Sequence, residues 1–184
     1  MNTKTDYQHT MPTLIDLGLP SGTLWADRNL GADAPEQAGD YYRWGETAPC
    51  NHKNQPYGLD DLDKDIAGTQ YDAATVNLGE PYRMPTLKQI KELLDSCTWE
   101  WTSINGVKGV KVTGPNGNYI FFPASGCRYY CSGSLKYVGS YGCCWSASPS
   151  GTNRARSLYF YSDNWSRNYY RRAFGFSVRA VKKK

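Results

Sequence analysis

Residues 86–123 constrain the fold most tightly, because they spell out one amphipathic helix followed by three strands with their turns in place. Thr86 and Gln89 have capping-box spacing, in which hydroxyl and amide each satisfy an orphan N–H group at a helix start. Leu87, Ile90, Leu93 and Leu94 then share one stripe at helical spacing, which predicts a helix ending near residue 95 with that stripe buried. Residues 99–104, 107–112 and 119–123 read as strands, with Asn105-Gly106 and Gly114-Pro115-Asn116-Gly117 as the turns between them. Turns this short cannot carry the crossover of a parallel pair, so these strands form an antiparallel meander.

The flanking segments extend the pattern. Leu158/Phe160 and Phe174/Phe176/Val178 alternate with polar or ring-bearing neighbours, predicting strands over 157–162 and 174–181, with another over 143–148. Residues 14–25 read as two short apolar stretches around the Pro20-Ser21-Gly22 turn. Asp33, Pro35 and Glu36 are placed as N-cap, first-turn proline and capping carboxylate, which predicts a short helix ending near Gly39. Residues 45–69 read as a long polar surface loop carrying Asp60, Asp61, Asp63 and Asp65. That loop lacks the central Gly and terminal Glu of an EF-hand, so a solvated acidic loop is expected in place of a calcium site. The class is α+β, with short helices early and antiparallel strands late, and 184 residues suit a single domain over 1–184. No run approaches the roughly 20 apolar residues of a membrane span, and the first 20 residues lack a secretory apolar core.

Residues 127–172 differ from the rest. They hold eight Tyr, nine Ser, six Arg, four Cys and four Gly, with Asp163 as their single acid, giving a net charge of +6 against −6 for residues 1–126. A basic, aromatic stretch is one footprint of nucleic-acid binding, but Lys136 is its only lysine, so no nucleic-acid partner is expected. Cysteines stand at 50, 97, 127, 131, 143 and 144. Adjacent Cys143 and Cys144 cannot easily pair, the spacing around Cys127 and Cys131 fits no usual zinc module, and His9 and His52 are distant. The expectation is free thiols, no metal and no cofactor.

Several motifs occur in a fixed order: Leu17-Gly18-Leu19-Pro20-Ser21-Gly22-Thr23-Leu24-Trp25-Ala26, Tyr41-Tyr42-Arg43-Trp44-Gly45-Glu46, Asp65-Ile66-Ala67-Gly68-Thr69-Gln70-Tyr71-Asp72-Ala73-Ala74, Tyr82-Arg83-Met84-Pro85-Thr86, Val110-Lys111-Val112-Thr113-Gly114-Pro115-Asn116-Gly117 and Gly175-Phe176-Ser177-Val178-Arg179. Together they resemble the Fibrobacter succinogenes major paralogous domain family, similar to the C-type lectin-like fold in its formylglycine-generating-enzyme-like branch. The resemblance implies that first and last strands pair, bringing residues 23–26 beside 176–181 and burying Trp25 with Phe176. Residues 127–172 also resemble the variable region of proteins rewritten by a diversity-generating retroelement. There, adenines in Asn-type codons are replaced at random, giving Tyr, Ser, Arg, Cys or Gly among others but never Lys, Glu, Gln, Met or Trp; Glu, Gln and Met are absent from this window, and its one Lys and two Trp are read as framework.

Alternation supplies an independent reason to expect binding here. Leu158 and Phe160 on one face send Ser157, Tyr159 and Tyr161 to the other, and Trp145 and Ala147 inward send Cys144, Ser146 and Ser148 outward. Tyr with Ser, Gly, Asn and Arg is paratope chemistry, since Tyr offers a large rigid contact with two torsions to freeze. The candidate ligand-binding residues are Tyr129, Tyr130, Tyr137, Tyr141, Cys143, Arg154, Arg156, Ser157, Tyr159, Tyr161, Asp163, Asn164, Asn168, Tyr169, Tyr170 and Arg171, with Arg154, Asp163, Asn164 and Asn168 expected in loops. The expected function is non-enzymatic recognition of a protein or cell-surface ligand through residues 127–172, displayed on a virion or bacterial surface. Calcium-independent carbohydrate binding is the alternative. An oxidase using Cys143 and Cys144 is disfavoured by their adjacency and by the lack of a nearby His.

Overall fold

The computed structural model describes residues 11–50, 57–59, 61–130 and 132–183; His9, His52, Asp60 and Cys131 lie outside them. The segment that constrains the fold forms as its sequence dictates. Helix α2 spans Leu87–Ser96 behind a complete Thr86/Gln89 capping box and buries Ile90 and Leu93. Strands β3 (Thr98–Ile104), β4 (Val107–Thr113) and β5 (Tyr119–Pro123) follow as an antiparallel sheet in that order. Asn105 and Gly106 turn the first hairpin with φ of 50° and 80°, the two positive values a type I′ turn needs. A second helix, α1 (Ala73–Leu78), precedes α2, and Asp72 caps it by accepting from the N–H groups of Ala74 and Thr75.

Three further sheets lie among the described residues. Strands β1 (Leu14–Asp16), β2 (Leu24–Ala26) and β11 (Val181–Lys182) form one sheet in the order β1-β2-β11. Strands β6 (Cys127–Arg128) and β7 (Leu135–Lys136) form a small hairpin. Strands β8 (Tyr141–Pro149), β9 (Arg154–Tyr161) and β10 (Asn164–Arg171) form an antiparallel sheet with β9 central and β10 at an edge. Among the described residues the architecture is mostly antiparallel strands in small sheets with two short helices.

The β8–β9–β10 sheet lies between two buried clusters. One gathers Trp145, Ala147 and Ala155 with Tyr42, Trp44 and Phe176; the other gathers Cys144, Leu158 and Phe160 with α2, Trp25, Trp99 and Phe122. Strand β8 is therefore covered on both faces, and Cys144, Ser146 and Ser148, expected to point outward, are buried instead. Gly142 lies opposite Phe160, whose ring occupies the space a Cβ would take.

Several local expectations are corrected. Residues 33–39 form turns, not a helix: Asp40 N–H returns to Leu30 O at 2.9 Å and Asn29 Nδ2 donates to Ala38 O at 3.0 Å, closing the segment before it can propagate. Residues 174–180 are not one strand. Gly175, Phe176 and Ser177 bridge singly to Arg128, Tyr42 and Cys144, and only β11 pairs continuously, with Val181 opposite Trp25. The terminal strands meet as expected, but Trp25 packs on Phe122 at 6.3 Å while Phe176 stacks on Trp145 at 4.3 Å, in separate clusters. Asp65 is not simply solvated, because it accepts from Ser148 Oγ at 2.7 Å, and that oxygen accepts from Leu87 N–H at 2.9 Å.

Two arginines are fully buried. Arg179 donates to Asn29 Oδ1, Ala26 O and Phe121 O at 2.8–3.0 Å and lies over the Phe122 ring, 4.3 Å from its centroid. Arg172 donates to the carbonyls of Arg154, Leu59, Leu62 and Gly151 at 2.6–3.1 Å over the Trp44 ring. Removing either guanidinium strands several buried acceptors at once. Arg179→Met is expected to lower unfolding free energy by about 3 kcal/mol, read from urea titrations, with Arg179→Lys recovering less than half because one ammonium cannot span three acceptors.

Candidate ligand-binding face

The register of the β8–β9–β10 sheet assigns each candidate residue to a side. Asn164 to Arg171 pair one to one with Tyr161 to Arg154, and Tyr141, Cys143 and Trp145 stand opposite Tyr161, Tyr159 and Ser157. One face thus carries Tyr141, Cys143, Ser157, Tyr159, Tyr161, Asn164, Asn168 and Tyr170. The opposite face carries Arg154, Arg156, Arg167, Tyr169 and Arg171, together with Leu158, Phe160 and Trp165 where α2 covers it.

On the first face the tyrosine rings form an unbroken series. Tyr137 and Tyr141 lie 5.0 Å apart, Tyr141 and Tyr159 5.4 Å, Tyr159 and Tyr161 5.5 Å, and Tyr159 and Tyr170 6.4 Å. Phe174 continues the series from Tyr170 at 6.0 Å to Tyr129 and Tyr130 at 5.2 and 5.0 Å. Seven of the eight tyrosines of residues 127–172 therefore share one surface. Phe174 was missed as a surface residue because its alternation with Phe176 and Val178 assigns it to the core. It is half-buried, at the rim of the cluster below.

The exposed members come from loops and edges. Tyr129 and Tyr130 follow β6 and Tyr137 follows β7, where Tyr137 is 56% exposed and holds a left-handed backbone with φ 63°. The β6–β7 hairpin is pinned from below by paired backbone bonds between Arg128 and Gly175, at 2.8 and 3.0 Å. Tyr141, Tyr159, Tyr161 and Tyr170 are half-buried; Tyr159 stands opposite Cys143 in the register, and the Tyr170 ring packs edge-on against Phe176 at 5.1 Å. Burial pushes the Tyr141 and Tyr170 hydroxyls up, and Tyr141 Oη lies 3.0 Å from Cys127 Sγ.

Other candidates take different places. Cys143 and Ser157, at 1% and 0% exposure, lie beneath the face and cannot touch a surface ligand. Of the residues expected in loops, Arg154, Asn164 and Asn168 are in strands and only exposed Asp163 occupies the hairpin turn. Tyr169 is exposed on the opposite side, with Arg154 and Arg156 at 5.2 and 5.4 Å from its ring. Arg171 reaches back over Tyr130 at 5.3 Å. The buried thiols are unreactive by environment: burial raises Cys143 well above its ordinary value and Cys144 to about 12. Among the described residues no group of three His, Cys, Asp or Glu side chains is placed to hold a metal ion, and no helix is long and apolar enough to cross a membrane.

Residues 100–181 match a family described as Domain of unknown function (DUF8237). The matched span runs from β3 to β11 and so contains the entire tyrosine face. No curated protein and no solved structure matches the chain.

Because folding holds these thiols protonated, the unfolded chain ionises first as pH rises, and stability falls between the ordinary thiol value of 9.0 and the folded value of about 12 for Cys144. Unfolding midpoints in urea at pH 7.5, 9.5 and 10.5 should decline in that order. The decline should be shallower in Cys144→Ala than in the parent chain.

Proposed function

We propose that this protein is a non-enzymatic receptor-binding module whose tyrosine face contacts a protein or cell-surface ligand. The observation that carries the reading is ring continuity: seven tyrosines, from the β6–β7 hairpin and from strands β8, β9 and β10 with their flanking residues, converge on one surface. Convergent, half-exposed Tyr beside Asn168, Ser166 and Asn164 offers broad apolar contact with polar tips, the chemistry of an antibody paratope. A few such rings, desolvated at the centre of a contact, contribute roughly 2 kcal/mol each.

The scaffold in this reading is C-type lectin-like, in its formylglycine-generating-enzyme-like branch, as the ordered motifs imply. The window 127–172 is a region diversified by a retroelement and displayed on a virion or bacterial surface. Two features favour it. The side chains that would be rewritten sit in loops and on β9 and β10, whereas Trp145 and Arg172, buried in the same window, anchor the cores. An oxidase reading has little support, because Cys143 and Cys144 point to opposite faces of β8 and both thiols are buried and held protonated.

A display library with Tyr137, Tyr159, Tyr161, Asn168 and Tyr170 each varied among Tyr, Ser, Asn and Asp tests the reading. Most members should melt within about 5 °C of the parent, and selection should yield binders to unrelated protein targets. A library at Trp145, Ser157 and Arg172 should yield few folded members. Equal losses of folding in both libraries would overturn the proposal, and enrichment only on a glycan array, unchanged by chelator, would replace protein recognition with carbohydrate binding. In the neighbouring DNA, a near-copy of codons 127–172 differing only at adenines is the expected trace of diversification.

A further inference from the structure

The side of the β9–β10 hairpin turned away from the tyrosine face has a different character. Arg171 stands opposite Arg154, and Tyr169 stands opposite Arg156, with Arg167 two positions further along β10. Like charges directly opposed across a sheet are destabilising, and among the described residues no carboxylate is paired with these four arginines. Two of the guanidinium groups are nonetheless held in place, flanking the Tyr169 ring at 5.2 and 5.4 Å.

The extent of the patch limits what fits it. From Arg167 to Arg171 is four strand residues, about 13 Å. At the Arg167 end a groove also lined by Lys91 and Trp165 brings in Asp95. At the other end Asp61 and Asp63 line a groove with Gly151 and Thr152, in the turn that leads into Arg154. A long polyanion crossing the patch would run onto these carboxylates and onto a body that is net −6 over residues 1–126. A short acidic segment would not. The guanidinium fork takes a carboxylate in two parallel hydrogen bonds, and side chains two apart on an extended peptide repeat at about 6.6 Å, the spacing of Arg154 and Arg156.

We propose that this face is a second docking surface, for a short extended acidic segment of a protein partner, with its carboxylates seated on Arg154, Arg156 and Arg167, while Arg171, turned over Tyr130, only borders it. It is independent of the tyrosine face, which lies on the other side of the same two strands. The outward backbone edge of β10 is not the means of capture: Tyr169 N–H already donates to Asn168 Oδ1 at 2.8 Å, and Arg167 O accepts from Ser166 Oγ at 3.3 Å.

Fluorescence anisotropy with a labelled, N-acetylated Glu-Thr-Glu-Thr-Glu-Thr-Glu peptide tests the surface. Binding is expected at 50 mM salt, weakening at 300 mM. Arg154→Gln with Arg167→Gln should weaken it about tenfold, while Tyr159→Ser with Tyr161→Ser should leave it within about twofold, so failure here and failure of the tyrosine face are read separately. Should the glutamine pair melt below the parent chain, Arg156→Gln alone should still reduce binding. A charge-reversed Arg154→Glu, Arg167→Glu protein should in turn prefer the lysine counterpart of the peptide. No binding at 50 mM salt, equal binding by the arginine variants, or tighter binding of a single-stranded oligonucleotide of equal charge would overturn the proposal.

Discussion

Two guanidinium groups with no access to water hold this molecule's irregular segments to its sheets. Arg179 joins the end of β2, residue 29 and the backbone of β5 around one planar fork, and Arg172 does the same for residues 59, 62, 151 and 154. Their partners are mostly backbone carbonyls, which sequence change in the side chains cannot remove. An aromatic ring, Phe122 or Trp44, covers one side of each cation. Long loops that would otherwise carry unpaired carbonyls are thereby fixed without regular secondary structure.

That arrangement decides where variation is tolerable. With loops pinned at residues 172 and 179 and β8 packed on both faces, the β8–β9–β10 sheet does not depend on the outward side chains of β9 and β10 for its register. The hydrophobic pattern Leu158, Phe160 and Trp165 on one side is enough to orient the hairpin, because a one-residue slip would expose all three. The tyrosine rings rest on the other cluster through Phe176 and Phe174, so they are stiffened by contact without being core.

Legibility in the sequence followed the range of the interactions involved. Thr86/Gln89, Asn105-Gly106 and the Leu158/Phe160 alternation act within a few residues, and α2, the meander and β9 were readable from them. The tyrosines were readable as a set because their density is unusual. Their shared surface rests on Phe174, whose ring joins two segments that the sequence keeps apart. β10 was hidden because Asn164 to Arg171 has no apolar alternation, as expected of an edge strand with little of either face covered. Cys143 and Ser157 read as surface residues by type and neighbourhood, yet residues 44, 59, 62 and 176 close over this region from far away in the chain. The turn at 33–39 had helix-start residues in correct order, but the backbone bond from Asp40 to Leu30 outcompeted a helix too short to repay its nucleation.

Tyr137 shows what such a surface asks of the backbone beneath it. Its left-handed φ of 63° suits Asn or Gly, whereas a Tyr there sets Cβ against its own carbonyl at a cost of about 1 kcal/mol. The ring is nevertheless the most exposed of the face, where it contributes little to folding. Asparagine at 137 would relax the peptide and erase the contact, so recognition and conformational ease pull this position in opposite directions, and the residue present has settled on the side of the ligand.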